Sequence, residues 1–155
     1  GESLISNNSN FIDGLVLTPL KVISVLGGDV MHGLKSSDLS YQGFGEAYFS
    51  MVELGAIKAW KKHYKMTLNL VVPVGEVRFV IYDDRKNSKS FGKFQEITIS
   101  KNNYSRLTIP PKLWLGFQGI SEKTSVLLNI ADFEHDPDEI ERKDLNSINF
   151  NWRKD

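Results

Sequence analysis

The chain has 155 residues with 19 basic and 19 acidic side chains, a formal net charge of zero, 41% hydrophobic residues and 25% charged ones. That fits one globular domain with a real core, and the lack of net positive charge argues against a nucleic-acid partner. Cysteine is absent, which excludes disulfides and thiolate metal sites and suits a cytoplasmic protein, and no apolar run approaches the roughly 18 residues of a membrane span. The opening "GESLISNNSN" lacks an initiator Met and the charged-then-apolar order of a signal peptide, so residues 1–10 are expected to be a flexible tag or arm ahead of a single domain over 11–155. Short strand-like runs then follow one another at 15–25, 45–54, 56–63, 67–74, 77–83, 93–99, 104–109 and 124–131. Gly, Pro or Asn/Asp clusters separate them, a pattern that predicts an all-β sandwich or barrel.

Within "VRFVIYD", Val77, Phe79 and Ile81 form an apolar face, while Arg78, Val80 and Tyr82 form a mixed face fit to wall a pocket or border solvent. The run "DDRKNSKS" at 83–90 reads as a solvated charged hairpin, and Arg78 and Arg106 read as ordinary strand-face cations. Short helical turns are predicted only in "SDLSYQGFG" and "DPDEIERKD", the second capped at Asp136-Pro137. Asn69 interrupts an apolar strand, so its amide either finds a protein partner or points at a ligand.

The segment 55–75, "GAIKAWKKHYKMTLNLVVPVG", concentrates Lys58, Lys61, Lys62, His63 and Lys65. Strand alternation puts Lys61 and His63 on one face. Lys58 and Trp60 fall on the other unless a bulge intervenes, and Lys62 reads as a solvated basic edge. The spacing Gly55, Lys61, His63, Leu68, Gly75 resembles the first motif of the cupin superfamily, a small jelly-roll barrel. Where metal-binding cupins carry His and Glu, this chain has Lys61 and Leu68, and Leu115 replaces the His of the second motif. An ammonium and two leucines are not ligands, so no metal and no other cofactor is expected.

The blocks "GAIKAWKKH", "VPVGEVRFVIYDDR", "IPPKLWLGFQGIS" and "ADFEHDPDEIERKD" occur in the order of matching blocks in the dTDP-4-dehydrorhamnose 3,5-epimerase family of metal-free cupins, which this chain resembles over about 11–152. The resemblance implies an all-β cupin jelly-roll barrel or sandwich with short peripheral helical turns. It also implies a cytoplasmic isomerase of surface-polysaccharide synthesis that takes a nucleotide-diphosphate sugar, with no nucleic acid and no membrane partner. In that family a base removes a proton beside the ketone of a 4-keto hexose, at C3 or C5, and an acid returns one to the opposite face. The family's base is the His of an Arg-Gly-Leu-His motif, which corresponds here to Lys58-Ala59-Trp60-Lys61. Its acid is a Tyr after Thr-Asp, and the corresponding run here is Ala131-Asp132-Phe133-Glu134.

Lys61 and His63 are therefore the candidate catalytic residues. A lysine base needs a pKa well below its free value, whereas a histidine needs no shift. Lys35, Phe49, Lys58, Trp60, Asn69 and Trp114 are the candidate substrate contacts, with Lys35 and Lys58 serving phosphate. Packing competes with ligand contact for both tryptophans, and Tyr64, Tyr82, Glu134 and His135 are the candidate acids. The resemblance further implies a homodimer that exchanges strands, with the segment 43–52 placing Phe49 or Tyr48 near the ligand. Action at one centre, ketone migration, and non-catalytic binding of the sugar nucleotide are the alternative readings.

Overall fold

The computed structural model describes residues 11–153, so the predicted arm at 1–10 lies outside the described residues. Among the described residues there are twelve strands: β1 (Val16–Pro19), β2 (Val22–Ile23), β3 (Val30–Met31), β4 (Glu46–Val52), β5 (Ile57–His63), β6 (Leu68–Val74), β7 (Glu76–Tyr82), β8 (Phe94–Ser100), β9 (Ser105–Ile109), β10 (Trp114–Gly119), β11 (Ser125–Ala131) and β12 (Ile140–Arg142). Two five-stranded antiparallel sheets form a sandwich, one ordered β1-β9-β6-β11-β4 and the other β12-β5-β10-β7-β8. This is the all-β sandwich expected from the strand spacing, and it fits the cupin jelly roll that the family resemblance implies. Among the described residues no helix is long and apolar enough to cross a membrane.

The core between the sheets follows from period-two patterning. Leu68, Leu70 and Val72 of β6 meet Val77, Phe79 and Ile81 of β7, Ile97 and Ile99 of β8, and Leu107 and Ile109 of β9. Gly75 makes the β6–β7 turn at φ +87°, where a Cβ would also collide with Ser125.

A second cluster covers the outer face of the other sheet. Trp60, Val80 and Trp114 pack beneath Ile148 and Trp152 of the C-terminal segment, with Tyr82, Phe94 and Phe150 around them. Arg78 is buried there, pairing with Glu96 at 2.7 Å and donating to the Trp152 carbonyl at 2.9 Å. The mixed face of β7 therefore neither walls the pocket nor meets solvent, because the C-terminal segment covers it and Arg78 pins that segment. Gly116 lets the cover approach, since a Cβ there would lie 2.7 Å from Ala59 and 2.8 Å from Trp152.

Several local expectations are corrected. The run 83–90 is not a solvated hairpin: Asp83 is fully buried and accepts hydrogen bonds from Arg85, Ser88 and Ser90. Burial would raise its pKa, but those donors hold the carboxyl well below the usual carboxylate range. Lys62 is not a basic edge, because it is 8% exposed, pairs with Asp84 at 2.7 Å and lies over the Trp114 ring. Arg106 is fully buried and holds the loop around 33–40 through the Gly33 carbonyl, Asp38 and the Ser40 hydroxyl. "SDLSYQGFG" forms turns rather than a helix. "DPDEIERKD" does form the expected short turn, a 3-10 turn at Pro137–Glu139 capped by Asp136, but its remainder is strand β12. The pairing of β12 on the edge of β5 is a tertiary contact, so local sequence could not announce it.

Candidate active site

A cavity of about 540 Å³ opens between the two sheets, within the size range of small-molecule sites. Its floor is apolar, from Leu68, Leu70, Leu115 and Leu127, and its walls are polar. Strand β5 supplies Lys58, Lys61 and His63, β12 supplies Arg142, β4 supplies Tyr48 and Ser50, and β11 supplies Asn129. The β5–β10 register explains how Lys58 joins the other two. Leu115 pairs with Lys61 and Phe117 pairs with Lys58, so two steps along β10 match three along β5. That extra residue is a β-bulge, which brings Lys58 back to the inner face and leaves Trp60 outside. The Ala59–Trp60 peptide is cis.

His63 is fixed by a buried acid. Its Nδ1 lies 2.5 Å from Glu139 Oε2, and the other oxygen of Glu139 accepts the backbone N–H groups of Lys65 and Met66 at 2.9 and 3.0 Å. Burial would raise the Glu139 pKa, but these bonds outweigh it and hold the group below its ordinary value, as a carboxylate. Burial lowers the His63 pKa below 6.5; Glu139 opposes that, while the charges of Lys61 and Arg142 add to it. His63 is thus neutral at pH 7. With Nδ1–H donated to Glu139, its Nε2 carries the free lone pair. The Lys61 pKa is lowered from 10.5, first by burial and then by Arg142, with Glu139 opposing. Arg142 is the cross-strand partner of Lys61, so both side chains share one face.

The remaining predicted contacts are dispersed. Phe49 is 66% exposed on the outer face of β4, because its neighbours Tyr48 and Ser50 take the inner face. Asn69 is satisfied away from the cavity, donating to the Ser40 carbonyl at 3.2 Å and accepting from Thr108 at 2.5 Å. Trp114 is 1% exposed in the outer cluster, donating to Asp84 at 2.9 Å, so it does not line the mouth. Trp60 borders the cavity, but its ring packs against Trp152 and its indole N–H bonds the Leu145 carbonyl. Lys35 sits in the loop held by Arg106 and is not a lining residue of this chain's cavity. Lys58 does line it, and its ammonium bonds the Met51 carbonyl at 2.9 Å across the gap to β4.

None of the four candidate acids reaches the cavity. Tyr64 bonds Glu141 at 2.5 Å, Tyr82 stacks on Phe94, and Glu134 and His135 are exposed. Sequence reasoning missed Asn129, Glu139 and Arg142. Alternation in β11 signals Asn129, whose side chain points inward with Leu127. The other two lay hidden in a charged run. Among the described residues no three His, Asp or Glu side chains converge as a metal-ligand set.

The family profile of dTDP-4-dehydrorhamnose 3,5-epimerase matches residues 47–155. The chain belongs to that family. A crystal structure of a dTDP sugar isomerase from Desulfovibrio desulfuricans G20 is 36% identical and superposes with a TM-score of 0.88, covering 91% of this chain and 92% of that one. The probable low-salt glycan biosynthesis epimerase Agl13 of Haloferax volcanii is 35% identical over 98 residues, which are 60% of this chain and 62% of that protein. The spore coat polysaccharide biosynthesis protein SpsL of Bacillus subtilis is 27% identical over 145 residues, 91% of this chain and 96% of its own. The chain thus spans less than two thirds of Agl13 and nearly all of SpsL. Lys61 lines the same cavity as His63, whose imidazole Glu139 orients.

Proposed function

We propose that this protein is a cytoplasmic, metal-free epimerase acting on a nucleotide-linked 4-keto hexose for surface-polysaccharide synthesis, folded as one domain over 11–155. Family membership supports the reaction class. The single observation that carries the mechanism is the His63–Glu139 pair on the cavity wall. His63 Nε2 takes the proton from the carbon beside the ketone, and Glu139 stabilises the imidazolium that forms. The Lys61 ammonium, with Arg142 beside it, stabilises the enolate oxygen. Lys58, at the β4 side of the cavity, is the phosphate contact. A second reading makes Lys61 the base, and the lowering of its pKa by burial favours it.

We also propose a homodimer. Strand β4 is a sheet edge with Phe49 and Met51 exposed on its outer face. A phosphate contact from Lys35 would have to come from a second copy. A solution mass of a single chain under assay conditions would overturn this arrangement.

The activity test is proton exchange. In heavy water, dTDP-, UDP- or GDP-linked 4-keto-6-deoxyglucose should gain deuterium beside the ketone. His63→Gln should lose about 10²–10⁴ of the rate, and Lys61→Met should lose a comparable factor through the missing cation. No exchange with any of the three sugars would overturn the epimerase reading. Full exchange by His63→Gln would move the base to Lys61.

A further inference from the structure

Inversion at carbon needs two groups on opposite sides of the ring, and the base accounts for only one. His63 and Lys61 stand on β5, in the sheet that also contains β12. The facing wall is built by β4 and β11 of the other sheet, whose polar lining side chains are Tyr48, Ser50 and Asn129. Tyr48 and Asn129 are direct cross-strand partners, and Asn129 Nδ2 donates to Tyr48 Oη at 2.9 Å. That bond enters the phenol oxygen and leaves its own proton free to be given away. It also supports the negative charge that donation creates. Asn129 is 5% exposed, so the donor is held in place, while Tyr48 is 38% exposed and in contact with water. Ser50 is the other hydroxyl of that wall, and an aliphatic alcohol is a far weaker acid than a phenol.

We propose that Tyr48, positioned by Asn129, is the catalytic acid that protonates the enolate on the face opposite His63. The proposal rests on the epimerase reading above. In the first half, the C–H bond breaks to His63 Nε2, its electron pair becomes the C=C bond, and the carbonyl π pair moves to oxygen. In the second half, the C=O bond re-forms and the carbon takes the Tyr48 proton, leaving the O–H electron pair on the phenolate oxygen. Water reprotonates the phenolate and the imidazolium releases its proton to water, so no proton, electron or atom is gained overall. Loss of the family tyrosine after β11 therefore does not remove the acid, because a neighbouring strand supplies one on the same sheet.

The test separates exchange from inversion with dTDP-4-keto-6-deoxyglucose, or whichever of the UDP- and GDP-linked sugars the native protein turns over, in heavy water. The native protein should incorporate deuterium and invert. Tyr48→Phe keeps the ring and removes the proton. It should invert at least about 100-fold more slowly while His63 returns deuterium to the original face, giving exchange with retention. Substrate affinity and melting temperature should stay near native values. Inversion by Tyr48→Phe at the native rate would overturn the assignment, as would equal loss of exchange and inversion. A native protein that neither exchanges nor inverts would instead overturn the epimerase reading beneath it.

Discussion

Lys61 and Lys62 are adjacent in sequence and opposite in fate. Lys62 points to the outer face of β5, where Asp84 neutralises it and Trp114 lies under its ammonium. Lys61 points into the cavity, where Arg142 is its cross-strand partner on β12. The outer face is a locked assembly of indoles, a paired arginine and the C-terminal segment. The inner face brings Lys61 and Arg142 close together, with Glu139 opposing their charge. A folded protein tolerates such crowding at a cost in stability, and it is the arrangement that binds an anion and moves pKa values toward catalysis. The contrast assigns stability to one face of β5 and chemistry to the other.

The largest effect is expected at Trp152. Trp152→Ala removes the cover from Trp60 and frees the carbonyl held by Arg78. A loss of about 3–5 kcal/mol is expected in denaturant unfolding, with the His63–Glu139 geometry unchanged in whatever fraction stays folded. A loss under about 1 kcal/mol would show that the outer cluster does not hold the sheet.

The next effect is on rate against pH. A base must be deprotonated, and the His63 pKa lies below 6.5. Activity should therefore be flat through neutrality and fall about tenfold per unit once pH drops below that pKa. A rate that instead keeps climbing above neutrality would give the proton-abstracting role to Lys61, whose pKa burial lowers from 10.5. The smallest effect is expected at Lys62→Met. The change removes one partner of the pair, but Asp84 is part-exposed and keeps its bond from Trp114, so stability should fall by only about 1–2 kcal/mol and activity should hold. A large activity loss there would erase the division between the two faces.

Much of the strand framework was legible because period-two alternation is a local signal. Val77, Phe79 and Ile81 declare their face without reference to any other strand. Strand β10 was not legible, since Gly116 and Gly119 weaken its pattern and its order comes from pairing on both sides with β5 and β7. At the site, strand alternation placed Lys61 and His63 on one face, and the family resemblance marked them as candidates. Lys58 was ambiguous because a bulge is decided by the partner strand, whose register shift appears only when β10 is laid beside β5. Asn69 and Trp114 misled for one shared reason. An isolated polar or aromatic residue carries no mark of which neighbour will satisfy it, and here Thr108 and Asp84 do so from distant segments.

Residue identity and short-range period were enough for the all-β class, the cupin spacing around Lys61 and His63, and the lack of thiolate and cupin metal ligands. Long-range packing alone makes Glu139 orient His63, sets Arg142 beside Lys61, and turns Tyr48 and Asn129 to face them. Those residues lie far apart in the chain. They meet because two sheets close over one cavity, a long-range packing outcome that no local pattern encodes.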